Sequence, residues 1–141
     1  MKKIKHIAAI FSLLLVFVWV GGGQAIAQNS SSDHVTDQVK SAMRMGSSKE
    51  LARHFDNKVR LSFVDEKPTD YSNTQAEFVM KNFFSKYPAS DFSYGFDGDS
   101  NTKNKSYVIG TYTHESGTFT VLIRLRESGG KHLVHSIEFI K

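Results

Sequence analysis

From Ala89 to the end, the chain keeps to the two-residue alternation of half-buried strands, and this limits its fold more than any other feature. SDFSYGFDG, KSYVIGTYTHE, GTFTVLIRLRE and KHLVHSIEFIK read as successive strands, joined by DSNTKN, a turn at Ser116-Gly117 and the loop SGG. Such a run makes an antiparallel sheet with one apolar face, which other elements must cover.

The segment before Pro88 supplies that cover. Val35, Val39, Ala42 and Met43 fall on one helical stripe, and Gly46 suits a left-handed C-terminal cap. Ser47-Ser48-Lys49-Glu50 matches a capping box, so a short second helix carries Leu51 and Phe55 inward. From Asn57 to Asp65 the pattern switches to period two, with Val59, Leu61 and Phe63 on the apolar side. EKPTD turns the chain, and the capping box Ser72-Asn73-Thr74-Gln75 opens a longer helix. Ala76, Val79, Phe83 and Tyr87 are its inner stripe, widened by Phe78, Met80 and Phe84. The order is α-α-β-α-β-β-β-β, one α+β domain with helices packed on one face of an antiparallel sheet.

The N-terminus stands apart from the fold. MKKIK is a positive region and Ile7 to Val20 an apolar run, followed by GGG and the small-x-small Ala25-Ile26-Ala27. This is the pattern of an export signal cleaved after Ala27, and the apolar run is short for a bilayer span of about 20 residues. Residues 28–32 read as a flexible tether and 33–141 as the domain. With no cysteine anywhere, a lipid anchor on a cysteine and a disulfide framework are both excluded. Three of the 18 Lys and Arg lie in the signal, so the mature chain has 15 against 14 acidic residues, a net charge of +1. That removes the electrostatic case for nucleic acid. The expectation is a periplasmic or secreted protein with no membrane attachment after cleavage.

SSKELARHFDNKVRLSF, TQAEFVMKNFFSKYP, YVIGTYTHESGTFTVLIRLRESGG and KHLVHSIEF resemble a small secreted bacterial family, domain of unknown function 4783. More broadly, the order and residues resemble the cystatin-like, nuclear-transport-factor-2-like fold. The resemblance spans about residues 33 to 141. It implies three helices wrapped by a curved sheet into a cone and a secreted setting, with no activity attached. The wider fold includes ketosteroid isomerases, dehydratases and polyketide cyclases beside binding proteins without chemistry, so fold alone does not choose among them.

Matching apolar faces sets an expected register. A two-residue turn at Ser116-Gly117 puts His114, Tyr112, Gly110 and Val108 opposite Phe119, Val121, Ile123 and Leu125, facing the helices. A two-residue turn at Gly129-Gly130 would bury Glu138, which is costly without a partner. A three-residue loop at Ser128-Gly129-Gly130 instead turns Leu133, His135, Ile137 and Phe139 inward and His132 outward. His132 and His135 then lie on opposite faces and do not form a metal pair. Asp97-Gly98-Asp99-Ser100-Asn101 begins like a calcium loop, but Thr102 and Val108 stand where glycine and glutamate are needed. No metal and no cofactor is expected.

Tyr94, Tyr112, His114 and His135 are thus the pocket candidates. Three readings follow. The first is a non-enzymatic binding module for a small apolar or amphipathic ligand. The second is a pocket enzyme of the isomerase, dehydratase or cyclase type using the inward His and Tyr, although no inward carboxylate is evident to serve it. The third is a homodimer or other interaction domain using the outer sheet face, where Tyr107, Ile109, Leu122, Val134 and Ile140 are apolar.

Overall fold

The computed structural model describes residues 31–97 and 106–141. The export signal and most of the calcium-like stretch therefore lie outside the described residues. Helices α1 (Ser31–Met45) and α2 (Ser48–Ala52) precede strands β1 (Phe55–Ser62) and β2 (Thr69–Ser72). Helix α3 (Asn73–Lys86) follows, and then β3 (Ala89–Asp97), β4 (Tyr107–His114), β5 (Gly117–Ser128) and β6 (Lys131–Ile140). The six strands form one sheet in the order β2-β1-β6-β5-β4-β3. All neighbours are antiparallel except β1 and β6, which run parallel. The architecture is the expected α+β one, except that the parallel β1–β6 pair makes the expected antiparallel sheet a mixed one, and two further differences lie at its edges. Helix α1 takes in Ser31 and Ser32 of the expected tether, with Ser32 buried. The end of the EKPTD turn pairs with β1 as the short edge strand β2, where Arg60 and Asp70 are direct partners.

Local chemistry sets the helix ends. The Ser47 N–H donates to the Ala42 carbonyl at 2.9 Å and the Gly46 N–H to Met43 at 3.2 Å. With Gly46 at φ 66°, this is a Schellman close to α1. Ser47 then caps α2, its hydroxyl accepting from the Glu50 N–H at 3.2 Å. The capping box of α3 is complete, the Ser72 hydroxyl accepting from Gln75 N–H while the Gln75 side chain accepts from Ser72 N–H. On α3, Ala76, Met80, Phe83 and Phe84 are buried, whereas Phe78 is 63% exposed and does not widen the inner stripe. Phe55 is buried as expected, as the first residue of β1 and not as part of α2.

Two register shifts correct the expected strand pairing. In the β4–β5 hairpin the turn residues are Glu115 and Ser116, so His114 pairs with Gly117 and Tyr112 with Phe119. This differs from the expected register by two residues, which leaves every side chain on its expected face. The β5–β6 hairpin differs in kind. Ser128 pairs with Lys131 across a two-residue Gly129-Gly130 turn. Both glycines have positive φ, 59° and 78°, which a type I′ turn requires. The residue needed to keep Glu138 out of the core is inserted farther on. Leu125 pairs with Val134 and Arg124 with Ser136, leaving His135 as a bulge. Beyond it, Ile137 and Phe139 face inward as expected. Before it the phase is reversed, so Val134 and His132 are buried and Leu133 is only half-buried.

The core lies between the concave sheet face and the three helices, built from Val59, Leu61, Phe92, Val108, Tyr112, Val121, Ile123, Ile137 and the helix stripes. Each fully buried large side chain contributes roughly 1.5–3 kcal/mol. Helix α1 is tied to β3 by Tyr94 O–H donating to the Thr36 carbonyl at 2.6 Å and by Arg44, which donates to the Phe92 carbonyl at 3.1 Å. Gly110 lets β4 approach Phe92: a Cβ there would stand 2.6 Å from Cζ of that fully buried ring. Gly110→Ala is therefore expected to cost about 2 kcal/mol or more in urea denaturation. Gly95→Ala, where an added Cβ meets nothing within 4 Å, stays within about 0.5 kcal/mol of wild type.

Candidate functional site

The helices and sheet leave a cleft of about 630 Å³ open at one end of the core. Its lining comes from four places: the loop that follows β1, the last turns of α3, the β4–β5 hairpin, and the end of β6. The floor is aromatic. Phe83 lies 4.3 Å from Phe139 between ring centroids, and Phe63 stacks on both at 5.3 and 5.4 Å. Tyr87 meets Phe119 edge-on at 5.2 Å, and His114 stacks on Phe119 at 4.8 Å. Charged and polar groups stand around this floor: Asp65, Glu66, Asn82, Lys86 and Lys141. Asp65 holds φ 62°, a left-handed conformation that an aspartate tolerates better than most residues. Shape and chemistry suit an apolar body carrying one polar end.

The four pocket candidates do not converge. His114 lines the cleft. Its Nδ1 accepts the Ser116 N–H at 3.3 Å, which leaves the proton of the neutral ring on Nε2. The ring is thus held as a hydrogen-bond donor, with its basic lone pair already engaged. Tyr112 lies behind the floor, fully buried, its hydroxyl donating to the Tyr87 carbonyl at 2.5 Å. Burial pushes its pKa up to about 12, so it keeps its proton and fixes the end of α3. Tyr94 lies under α1, edge-on to Phe92 and bonded to Thr36.

His135 does not face the cone. The bulge turns it to the outer sheet face, beside Ser136, Arg124 and Arg126. The expected inward histidine is corrected for that reason. His132, expected outward, is buried opposite Glu127. The outer-face set changes likewise. Val134 is fully buried in the core, while Tyr107, Ile109 and Leu122 are half-buried and Ile140 is 43% exposed.

The residues missed from sequence are the aromatic floor and the acidic loop beside it. Phe63, Phe83, Phe119 and Phe139 have the alternation or helical spacing of core residues, and only the tertiary gap above them separates floor from core. Among the described residues no group of three or more His, Cys, Asp or Glu side chains could hold a metal.

This arrangement of three helices on a curved six-stranded sheet is the nuclear-transport-factor-2-like fold. A nuclear-transport-factor-2-like protein of unknown function from Shewanella baltica is 16% identical, with a TM-score of 0.55 over 77% of this chain and 89% of its own. Within that fold the chain belongs to the family described as Domain of unknown function (DUF4783), whose model matches residues 36–139. The crystal structure of a family protein from Bacteroides ovatus is 30% identical, with a TM-score of 0.66 over 74% of this chain and 92% of its own. One from Bacteroides fragilis is 29% identical, with a TM-score of 0.67 over 74% and 95%. No curated protein matches this chain.

Two electrostatic features lead to predictions. Asp56 is buried and carries an ion pair with the mostly exposed Arg126, besides accepting its neighbour's Asn57 N–H at 2.7 Å. Removing the arginine strands a buried carboxylate, whereas neutralising the aspartate leaves a cation that water already solvates. Arg126→Ala is expected to cost about 2 kcal/mol in urea denaturation and Asp56→Asn clearly less.

Burial, joined by nearby cations, also lowers the pKa of two histidines. His54 is lowered by burial and by His34 and Arg53, against Glu50. His135 is lowered by burial and by Arg126 and Arg124, against Asp56. Because the folded form takes up these protons less readily than the unfolded chain, their contribution is present above the ordinary histidine pKa of about 6.5 and is lost as pH falls below it. Urea midpoints should drop between pH 7.5 and pH 5.5, and by less in the His54→Gln/His135→Gln double variant.

Proposed function

We propose that the protein is an exported, non-enzymatic binding module that takes a small apolar or amphipathic ligand in the aromatic cleft. The observation that carries this reading is the cleft itself, in which the half-buried Phe63 and Phe119 border open space beside the buried Phe83 and Phe139, among charged and polar neighbours. Open aromatic surface of this kind is costly to leave in contact with water, and covering it with an apolar ligand recovers part of that cost. His114, with its proton on Nε2, and Lys86 are suited to the polar end of such a ligand. Export rests on the N-terminal pattern of charge, apolar run and small-x-small site.

The enzyme reading has less to support it. Of its inward histidines and tyrosines, only His114 borders the cleft, and its Nδ1 lone pair is already used. The dimer reading loses Val134, and on the β1–β5 side the outer face is strongly cationic. A two-fold contact centred on that part of the face would bring two cationic patches together.

The test is native mass spectrometry of the mature protein purified from its own host, together with titration by the fluorescent probe anilinonaphthalene sulfonate. A co-purified small molecule or saturable probe binding is expected. Val79→Trp, which fills the cleft from α3, should lower probe affinity about tenfold or more while leaving the urea midpoint close to wild type. An unchanged affinity in that variant, or a protein that binds neither, would sink the reading.

A further inference from the structure

A second concavity lies on the opposite side of the sheet. Lys58 and Arg60 on β1, Asp70 on β2, Arg124 and Arg126 on β5, and His135 and Ser136 on β6 line one depression of about 280 Å³. The register explains how it forms. Arg124, Ser136, Arg60 and Asp70 are successive partners across β5, β6, β1 and β2, so the small Ser136 lies in a row between two arginines. A side chain as short as serine leaves the space between them unfilled. The bulge sets His135 beside it, which brings two consecutive β6 residues to one face.

The charge balance of this depression is uneven. Arg60 is held by Asp70 through two bonds, Nε to Oδ1 at 2.7 Å and a terminal nitrogen to Oδ2 at 3.2 Å, and Arg126 by Asp56. Both carboxylates therefore serve to aim arginines. Arg124 and Lys58 face the same space outside any close ion pair among the described residues, although Lys58 also lies in the field of Asp70. Four fixed cations against two carboxylates leave a local charge of about +2, within a domain whose net charge is about +1. Like charges grouped on one sheet face disfavour the fold. The core has no need of them, since all four cations point away from it.

We propose that this depression is a binding site for a tetrahedral oxyanion, phosphate or sulfate, free or as the end group of a small ester. Arg124 and Lys58 supply the charge-assisted bonds, Arg60 and Arg126 stand pre-aimed at its sides, and the Ser136 hydroxyl can donate from the floor. Protonated His135 adds a further donor. The charged groups around that ring are Asp56, Lys58 and Arg60 on β1, Asp70 on β2, and Arg124 and Arg126 on β5. Anion binding offsets the arginines that disfavour its protonation, so affinity rises as pH falls through the histidine range. This site shares no lining residue with the aromatic cleft and stands whether or not the cleft binds a ligand.

The test is a proton–nitrogen NMR titration of the mature protein with sodium sulfate against sodium chloride at equal ionic strength. Sulfate stays dianionic between about pH 5.5 and pH 8, so any pH dependence belongs to the protein. Saturable shifts centred on residues 58, 60, 124, 126, 135 and 136 are expected, with Kd on the order of 1 mM or tighter. Arg124→Gln should weaken binding about tenfold or more, and Lys58→Gln likewise. Affinity should be several-fold higher at the acidic end, and His135→Gln should remove that difference. Inorganic phosphate and glycerol phosphate are run beside sulfate: equal affinities assign the site to the free anion, and tighter binding of the ester assigns it to an ester group. Val79→Trp should bind sulfate as wild type does. Shifts that do not saturate, or that persist unchanged in Arg124→Gln, would overturn the proposal.

Discussion

The bulge at His135 is the constraint on which the rest of the structure depends, because β6 lies between β5 and β1 and passes its register to both. Two local demands meet on this strand and conflict. Gly129 and Gly130, both at positive φ, close a two-residue turn. Carried on without interruption, that turn would aim Glu138 at Val121 in the core and expose Ile137 and Phe139. One inserted residue resolves this, since the side-chain period of a strand is two and a single insertion reverses the faces. Ile137 and Phe139 then reach the core, and Phe139 reaches the floor of the cleft. Before the insertion, Val134 packs inward and its N–H donates to the His54 carbonyl at 2.7 Å, where β1 begins. The pairing of β1 with β6 shifts over the same stretch, between Phe55 and Arg60.

The same bulge shows where sequence reasoning reached its limit. The need for an odd residue was legible, because an unpaired buried Glu138 is too costly. Its position was not. An insertion at the turn and one at His135 give the same faces for Ile137 and Phe139, and they differ only over Lys131 to Val134 and at His135 itself. The preference of Gly-Gly for a type I′ turn was the one signal that could have decided, and it points to the two-residue turn. The errors at His132, Val134 and His135 all come from that one displaced residue. The β4–β5 hairpin was also misaligned, by two residues, yet nothing about its faces changed. Legibility here depends on parity and not on distance.

The candidate sites were less legible than the fold for a related reason. Apolar periodicity reports that a side chain faces inward, and it is silent on whether anything packs above it. Tyr112 and Phe119 are cross-strand partners on the same face, yet Tyr112 is fully covered by α3 while Phe119 borders open space. The difference lies in where α3 ends. Tyr87 closes the helix, its carbonyl accepting the Tyr112 hydroxyl, and past that point no helix covers the β4–β5 hairpin. The cleft opens where the sheet extends past the last turns of α3, which form one of its walls.

Between them, the two concavities divide the roles that one pocket was expected to hold. The aromatic groups face the helix side, where nonpolar rings with Lys86 and Lys141 beside them suit an apolar body with a polar end, and the arginines of β1 and β5 face the outside. This division follows from sheet geometry. A strand residue serves one face only, so His114 and His135, on strands separated by β5, contribute to opposite surfaces. A proton relay between them would have to cross a packed layer that includes the fully buried Val121 and Ile123. Arg124 follows Ile123 in β5 and points the other way, so the strand that closes the core on one side carries the cation on the other. What joins the two surfaces is register alone: removing the bulge would turn Phe139 off the floor of the cleft and Ser136 out of the row of charges behind it.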